Sequence, residues 1–181
     1  MSSIDPIILG QLGRHRWAVA LIATLAERKG ARFVELLQAL GTNRESLSRT
    51  LDACSIAGWV IRNPGYGHPL RPEYILTQAG IEIASLCQSI EQTRRSIGLG
   101  SASLSRWSLP IIRRIDLGAR RFNMIGQGIK EANPRALTQS LKSLIGQELI
   151  TRTVVDAYPP VPEYGLTGHG DRMARAISVR Q

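Results

Sequence analysis

The second half of this chain repeats the first about 90 residues on. Arg16-Trp17 recurs as Arg106-Trp107, and Asn43, Leu47 and Leu51 recur as Asn133, Leu137 and Leu141. Pro72-Glu73-Tyr74, Leu76-Thr77 and Gly80 recur as Pro162-Glu163-Tyr164, Leu166-Thr167 and Gly170. Between these anchors the register slips by one: Arg32-Phe33 and Gln38 match Arg121-Phe122 and Gln127, and the spacing returns by Asn43. An indel confined to turns is what two diverged copies of one fold show. The repeat therefore predicts two modules, residues 1–95 and 105–181, joined by a linker over 96–104. Units of that size hold a core of their own but are only marginally stable alone.

Composition narrows the function classes. The chain is 43% hydrophobic and 20% charged, as a folded rather than a disordered protein is. The longest apolar run, Trp17 to Ala26, is too short to span a bilayer. The start, Met-Ser-Ser-Ile-Asp-Pro, has no basic segment followed by an apolar one, so no secretion signal is read and a cytoplasmic, nucleoid-associated address is expected. Cys54 and Cys87 make neither a disulfide framework nor a metal spacing, and His15, His68 and His169 are scattered, so no zinc site and no cofactor is expected. Gly65-Tyr66-Gly67 lacks the third glycine and the following helix of a dinucleotide loop. No Ser/His/Asp set or paired carboxylates suggest an enzyme.

The net charge is +9, and it is uneven: 9 Lys+Arg against 7 Asp+Glu in residues 1–90, but 14 against 7 in residues 91–181. Arginine supplies 20 of the 23 cations. Its planar fork grips phosphates and guanine edges through paired hydrogen bonds. A basic chain without a membrane segment points to a polyanion, most often nucleic acid, as partner.

Within each copy the periodicity predicts a winged helix-turn-helix, mainly α with small β-hairpin wings. In the first copy a helix runs from Arg16 to Glu27 and is closed by Arg28-Lys29-Gly30. A second, short helix ends at Leu40. Gly41-Thr42-Asn43 makes the turn, and a third helix runs from about Arg44 to Ala57, burying Leu47, Leu51, Cys54 and Gly58. Trp59 to Arg62 and Glu73 to Leu76 form the wing around a turn-rich stretch from Asn63 to Pro69. Thr77 then caps a last helix from Gln78 to about Arg95. In the second copy the helices are Trp107–Leu117, Phe122–Ile129 and Pro134–Gln147. Leu149–Thr153 and Glu163–Leu166 make the wing, and Thr167 begins the last helix.

The string RWSLPIIRRIDLGARRF…NPRALTQSLKSLIGQELITRTVVDAYPPVPEYGLTGHGDRMA, residues 106 to about 176, resembles the winged-helix module of HxlR-type transcriptional regulators, relatives of the MarR type. The Arg-Trp opening, Arg-Arg-Phe before helix two, Leu-Thr-Gln-Ser-Leu in helix three and the PPVPEYGLTGHG ending carry the likeness; residues 16–84 match more weakly. The resemblance implies a DNA-binding regulator. Relatives are usually single-module chains that dimerise on palindromic operators, so the fusion suggests a covalent pseudo-dimer, a monomer with internal two-fold character that further dimerisation would extend. The resemblance also implies a basic wing residue just before the second strand. Arg71 supplies it in the first copy, but Val161 stands there in the second with Asp156 nearby, which points wing two towards protein rather than the minor groove. Some relatives sense oxidants through a cysteine; the inner-stripe position of Cys54 instead predicts a buried, inert thiol.

The solvent side of helix three is the expected reader of the major groove. It presents Asn43, Arg44, Glu45, Ser48, Arg49 and Asp52 in the first copy, and Asn133, Pro134, Arg135, Thr138, Gln139 and Lys142 in the second. These types suit base edges: Arg to guanine, Gln to adenine, Ser or Thr to several. Arg32, Arg120 and Arg121 at the start of helix two, Arg62 and Arg152 on the first wing strands, and His68 and Arg71 on the first wing are the candidate phosphate contacts. Trp17, Trp107, Tyr74 and Tyr164 are expected in the core rather than as base-stacking platforms. The segment Ile81 to Leu104 is expected to pack on the N-terminal residues Ile4 to Leu12, with a flexible break from Ile97 to Ser103.

Double-stranded DNA is thus the expected partner, read sequence-specifically for transcription regulation. Two alternatives remain at this point: a protein-interaction scaffold, as tandem winged helices also serve, and a non-specific architectural DNA binder. Regulation by a protein or small-molecule effector stays open.

Overall fold

The computed structural model describes residues 6–65, 67–68, 71–100, 103–129, 131–156, 158 and 160–178. The first repeat is built from α1 (Pro6–Arg14), α2 (Ala18–Arg28), α3 (Phe33–Leu40), α4 (Arg44–Ile56), the hairpin β1 (Val60–Arg62) and β2 (Tyr74–Leu76), α5 (Gln78–Glu82) and α6 (Ala84–Ser96). The second has α7 (Ser108–Asp116), α8 (Phe122–Gln127), α9 (Pro134–Gly146), the hairpin β3 (Ile150–Val155) and β4 (Val161–Leu166), and α10 (Gly168–Ile177). Each is a winged helix-turn-helix: mainly helical, with one small antiparallel wing.

The repeated residues are the ones that set local geometry. Asn43 and Asn133 cap α4 and α9, their Oδ1 atoms accepting from the amides of Ser46 and Ala136 at 2.8 Å each. Thr77 Oγ1 donates to the Gly58 carbonyl and accepts from the Gly80 amide, and Thr167 repeats both bonds with Glu148 and Gly170. The glycines follow from packing. A Cβ on Gly80 would lie 2.1 Å from the Trp59 carbonyl oxygen, and one on Gly170 2.0 Å from that of Leu149. The wing gains a third short bridge in the first copy, Ala31 with Tyr74, and the second copy matches it with the Tyr164 amide donating to the Arg120 carbonyl at 2.8 Å.

Several expected boundaries shift. Arg16 lies before α2, which starts at Ala18 after a turn closed by the Ala18 amide on the His15 carbonyl. Lys29, rather than Gly30, makes the first left-handed step after α2. The helix expected from Gln78 to Arg95 is broken at Ile83, which ends α5 and starts α6 in one residue. Gly58 is exposed, not buried; its φ of +76° turns the chain out of α4, while Thr50 joins the buried stripe. Helix α8 stops two residues early, at Gln127. The second wing is longer than expected, six residues per strand with Val154 opposite Pro162, whereas the first pairs only three. Tyr66 and Pro69 of the first wing turn lie outside the described residues.

The two repeats share one hydrophobic core. Leu21, Ile22, Leu36 and Leu47 fill the first, and Ile111, Ile112, Ile125 and Leu144 the second, all essentially buried. Each such side chain contributes roughly 1.5–3 kcal/mol on burial. Continuity comes from α6, which packs on α2 of its own copy and on α10 of the other, and from α1, which crosses to α7. Gly13 permits that crossing, because a Cβ there would lie 2.0 Å from the Arg106 carbonyl oxygen.

The segment 81–104 packs mainly on α10 and α2, and Ile90, Glu91, Arg94 and Leu104 also share a small cavity with Leu12 and Gly13 of α1; Ile4 and Asp5 lie outside the described residues. Leu9-Gly10 recurs in the sequence as Leu99-Gly100, but the two pairs diverge in structure. Leu9-Gly10 is helical, whereas Leu99-Gly100 follows Gly98, whose φ of +73° ends α6. The start of that break is tied back to α6. Arg94, buried on α6, donates Nε to both oxygens of buried Glu91 at 3.1 Å and Nη2 at 2.8 Å, and its Nη1 donates to the Leu99 carbonyl. A buried ion pair is tolerable when its hydrogen bonds are filled in this way. Ser101 and Ala102 lie outside the described residues.

Candidate nucleic-acid interface

The third helix of each copy presents the same surface to solvent. From residue 41 to 54 the sequence of buried, half-buried and exposed positions is repeated position for position from 131 to 144. Arg44, Glu45, Ser48, Arg49 and Asp52 on α4 are all exposed, as are Pro134, Arg135, Thr138, Gln139 and Lys142 on α9. Behind them Leu47, Leu51 and Cys54, and Leu137, Leu141 and Leu144, hold each helix against the core. Neither exposed face is covered by other described protein. The side chains on α9 together line one open depression.

Several of these side chains already have work within the fold. Asn43 and Asn133 are committed through Oδ1 to their caps. Thr138 Oγ1 donates to the Pro134 carbonyl one turn back at 2.8 Å. Arg49 pairs with Glu45 at 3.2 Å, both well exposed, and the Arg44 guanidinium lies 6.0 Å from the Phe33 ring centroid. Arg135 and Lys142 have no carboxylate partner among the described residues.

The candidate phosphate contacts divide in the same way. Arg62 pairs with Glu73 at 2.9 Å and Arg121 with Glu163 at 3.5 Å. Glu73 also accepts from the Phe33 amide at 3.3 Å, and Glu35 from the Arg32 amide at 2.7 Å. The start of α3 thus holds the protein's own carboxylates where an anion was expected, a use of the helix N-terminus that the same physics explains. Arg32 is half-buried; Arg71, His68, Arg120 and Arg152 are exposed. Glu73 and Glu163 were not foreseen as part of this surface. The signal for Glu73 was visible, since it faces Arg62 across an expected hairpin, whereas Glu163 meets Arg121 from far along the chain.

Aromatic and thiol groups take core roles. Trp107 and Tyr164 are buried, and Trp17 and Tyr74 pack half-buried against the core. The Arg106 guanidinium stacks 4.3 Å from the centroid of the Trp107 ring. Burial pushes the Cys54 thiol up to about 12, and burial together with Cys54 and Glu91 pushes Cys87 up as well. Both stay protonated thiols at neutral pH and are poor nucleophiles. Among the described residues no group of His, Cys, Asp and Glu could hold a metal ion, and no helix is long and apolar enough to cross a membrane.

The seam between the repeats is polar at one edge. Glu131, in the turn before α9, accepts from Arg14 of α1 at 2.7 Å and from Arg106 at 3.2 Å. Hydrogen bonding to Arg14, with the charges of both arginines, holds the Glu131 carboxyl below its usual range. His15 is lowered by burial, then by Arg14 and Arg106.

Comparison with protein families matches one model, the HxlR-like helix-turn-helix, twice: over residues 12–97 and again over 104–179. Comparisons with curated proteins and with solved structures give no match. The two matched spans take in both helix-turn-helix units, both wings and the end of α1. Their two exposed third helices are the elements by which such folds meet DNA. The chain belongs to the HxlR-like helix-turn-helix family, a family of DNA-binding transcription regulators, and carries its module twice in one polypeptide.

Proposed function

We propose that this chain is a sequence-specific regulator that reads double-stranded DNA as a covalent pseudo-dimer, with α4 and α9 as its two unlike reading helices. The modules are residues 1–95 and 105–181, with 96–104 between them. One observation carries the reading: the two third helices share one exposure pattern but differ in charge or side-chain type at most reading positions. Glu45 stands where Arg135 does, Ser48 where Thr138 does, Arg49 where Gln139 does and Asp52 where Lys142 does. A perfect palindrome needs equal readers. The operator is therefore an imperfect inverted repeat, or two unlike half-sites about one helical turn apart.

Arg44, Arg49, Arg135, Gln139 and Lys142 are the base and groove contacts; Arg62, Arg71, His68, Arg120, Arg121, Arg152 and Arg32 flank them as phosphate contacts. Such a protein acts at the nucleoid, in the cytoplasm. The test is selection of retained fragments from a random DNA pool, followed by footprinting with base-by-base substitution. Unequal penalties at mirrored positions are expected, with affinity falling steeply from low to physiological salt. Equal penalties would sink the unlike half-sites. Retention without sequence preference would favour an architectural binder, and weak salt dependence a protein partner.

A further inference from the structure

The two repeats differ on the side of the third helix that faces the entry to their first helix. In the second copy this side is closed by the chain itself. Gln147 Nε2 donates to the Ser103 carbonyl at 2.7 Å, and Ser105 Oγ meets Ser140 Oγ at 3.3 Å, so the linker lies along α9. The equivalent positions in the first copy cannot do this. Ala57 stands where Gln147 does and His15 where Ser105 does, and α1 is drawn away to α7. What is left is an open cleft of about 790 Å³ between α4 and the turn joining α1 to α2.

The chemistry of that cleft is one-sided. Arg14, Arg16 and Arg49 line it with Asp52 as the lining carboxylate; Arg14 is already paired with Glu131 and Arg49 with Glu45. Half-buried Trp17 and buried Trp59 are part of its lining, as is Ile56, on the surface at 88% exposure. Arg16 is the informative residue. Its counterpart, Arg106, is neutralised by Glu131 and stacked on Trp107. Position 41, equivalent to Glu131, is glycine, so Arg16 has no ion pair among the described residues. A guanidinium without a carboxylate beside an indole ring, in a concavity of small-molecule size, is matched by a flat ring bearing an anionic group.

We propose that the cleft between α4 and the α1–α2 turn is a binding site for a small aromatic carboxylate, with Arg16 taking the carboxylate and Trp17 beside the ring. The site exists in the first repeat alone, because only there has the linker's place been vacated. Its wall includes Arg49 and Asp52, which are also on the exposed face of α4. The inference does not depend on how the DNA is read, since it is tested without DNA.

The experiment uses the full chain and 2-naphthoate as probe, followed by calorimetry and by tryptophan emission. One saturable site per chain is expected. Arg16→Gln weakens it by about tenfold or more, the loss of one charge-assisted contact. Ala53→Trp, which fills the cleft from α4, abolishes it. Arg16→Gln changes a side chain outside the core, so its result holds even where the filled variant folds poorly, which circular dichroism reports. The neutral analogue 2-naphthylmethanol binds at least about tenfold more weakly for the same reason, and inorganic phosphate does not displace the probe at equal concentration. Absence of saturable binding would overturn the proposal, as would binding that Arg16→Gln leaves unchanged. Equal binding of the alcohol would overturn the anionic class, and equal displacement by phosphate the need for a ring.

Discussion

Helices α4 and α9 are the same object mechanically and different objects electrically. Each begins at an asparagine cap, buries leucines at matching positions and exposes the same reading face. The face of α9 carries Arg135 and Lys142 with no carboxylate. That of α4 sets Glu45 and Asp52 among Arg44 and Arg49, and Glu45 already holds Arg49. After duplication, positions that build the scaffold stayed constrained in both copies, because a lost cap or a clash costs stability wherever it occurs. Reading positions touch no core and were free to diverge. The difference teaches where the function of this molecule is written: on two exposed faces, supported by a duplicated interior.

The comparison can be broken most forcefully at its shared interior. Gly80→Ala and Gly170→Ala each place a methyl about 2 Å from a backbone carbonyl that cannot move freely. Each is expected to cost about 3 kcal/mol in urea unfolding. A large loss at one site and none at the other would show that the two wings are not packed alike.

The reading faces come next. Arg135→Ala is expected to weaken DNA binding by about 1–3 kcal/mol and relax preference at one base pair. Arg49→Ala, whose charge is shared with Glu45, costs less, and Glu45→Gln strengthens binding. Equal losses for the two arginines in a fluorescence-anisotropy titration would erase the electrical distinction.

Removing the caps sharpens the mechanical likeness. Asn43→Ala and Asn133→Ala should each lower stability by about 1 kcal/mol, as loss of a satisfied N-cap does. Thermal melts that moved for only one of them would contradict the shared geometry.

The smallest effect lies at Glu148, which adopts the left-handed φ of +56° that Gly58 adopts in the first copy at +76°. Glu148→Gly removes that strain, partly offset by the greater freedom of glycine in the unfolded chain, for a gain of about 0.5 kcal/mol. Its backbone carbonyl still accepts from Thr167, so the wing is undisturbed. A loss of stability instead would mean that the Glu148 side chain makes a stabilising contact of its own.

Much of this was legible in the residues alone, and the reasons are local. Helix periods, the Asn caps, the Thr-x-x-Gly starts and the glycine-rich turns act over a few residues, so α3, α4, α8 and α9 and both wings could be placed to within a few positions. The exposed reading positions followed from the same periodicity. The partners of some arginines did not. Arg121 with Glu163 and Arg14 with Glu131 are each far apart in the chain, and no periodicity brings them together.

By itself the sequence determined that one module is used twice, that each copy is a winged helix-turn-helix, and that the two third helices carry unlike side chains. Repetition and local propensity are written residue by residue. Only the tertiary structure decided that the copies share a core through α6 on α10 and α1 on α7, that Gly13 admits that crossing, and that the linker closes α9 but leaves a cleft beside α4. Those outcomes depend on which surfaces are left unburied once each module has folded. That is a competition between distant segments for the same apolar and hydrogen-bonding partners, and it is resolved only in three dimensions.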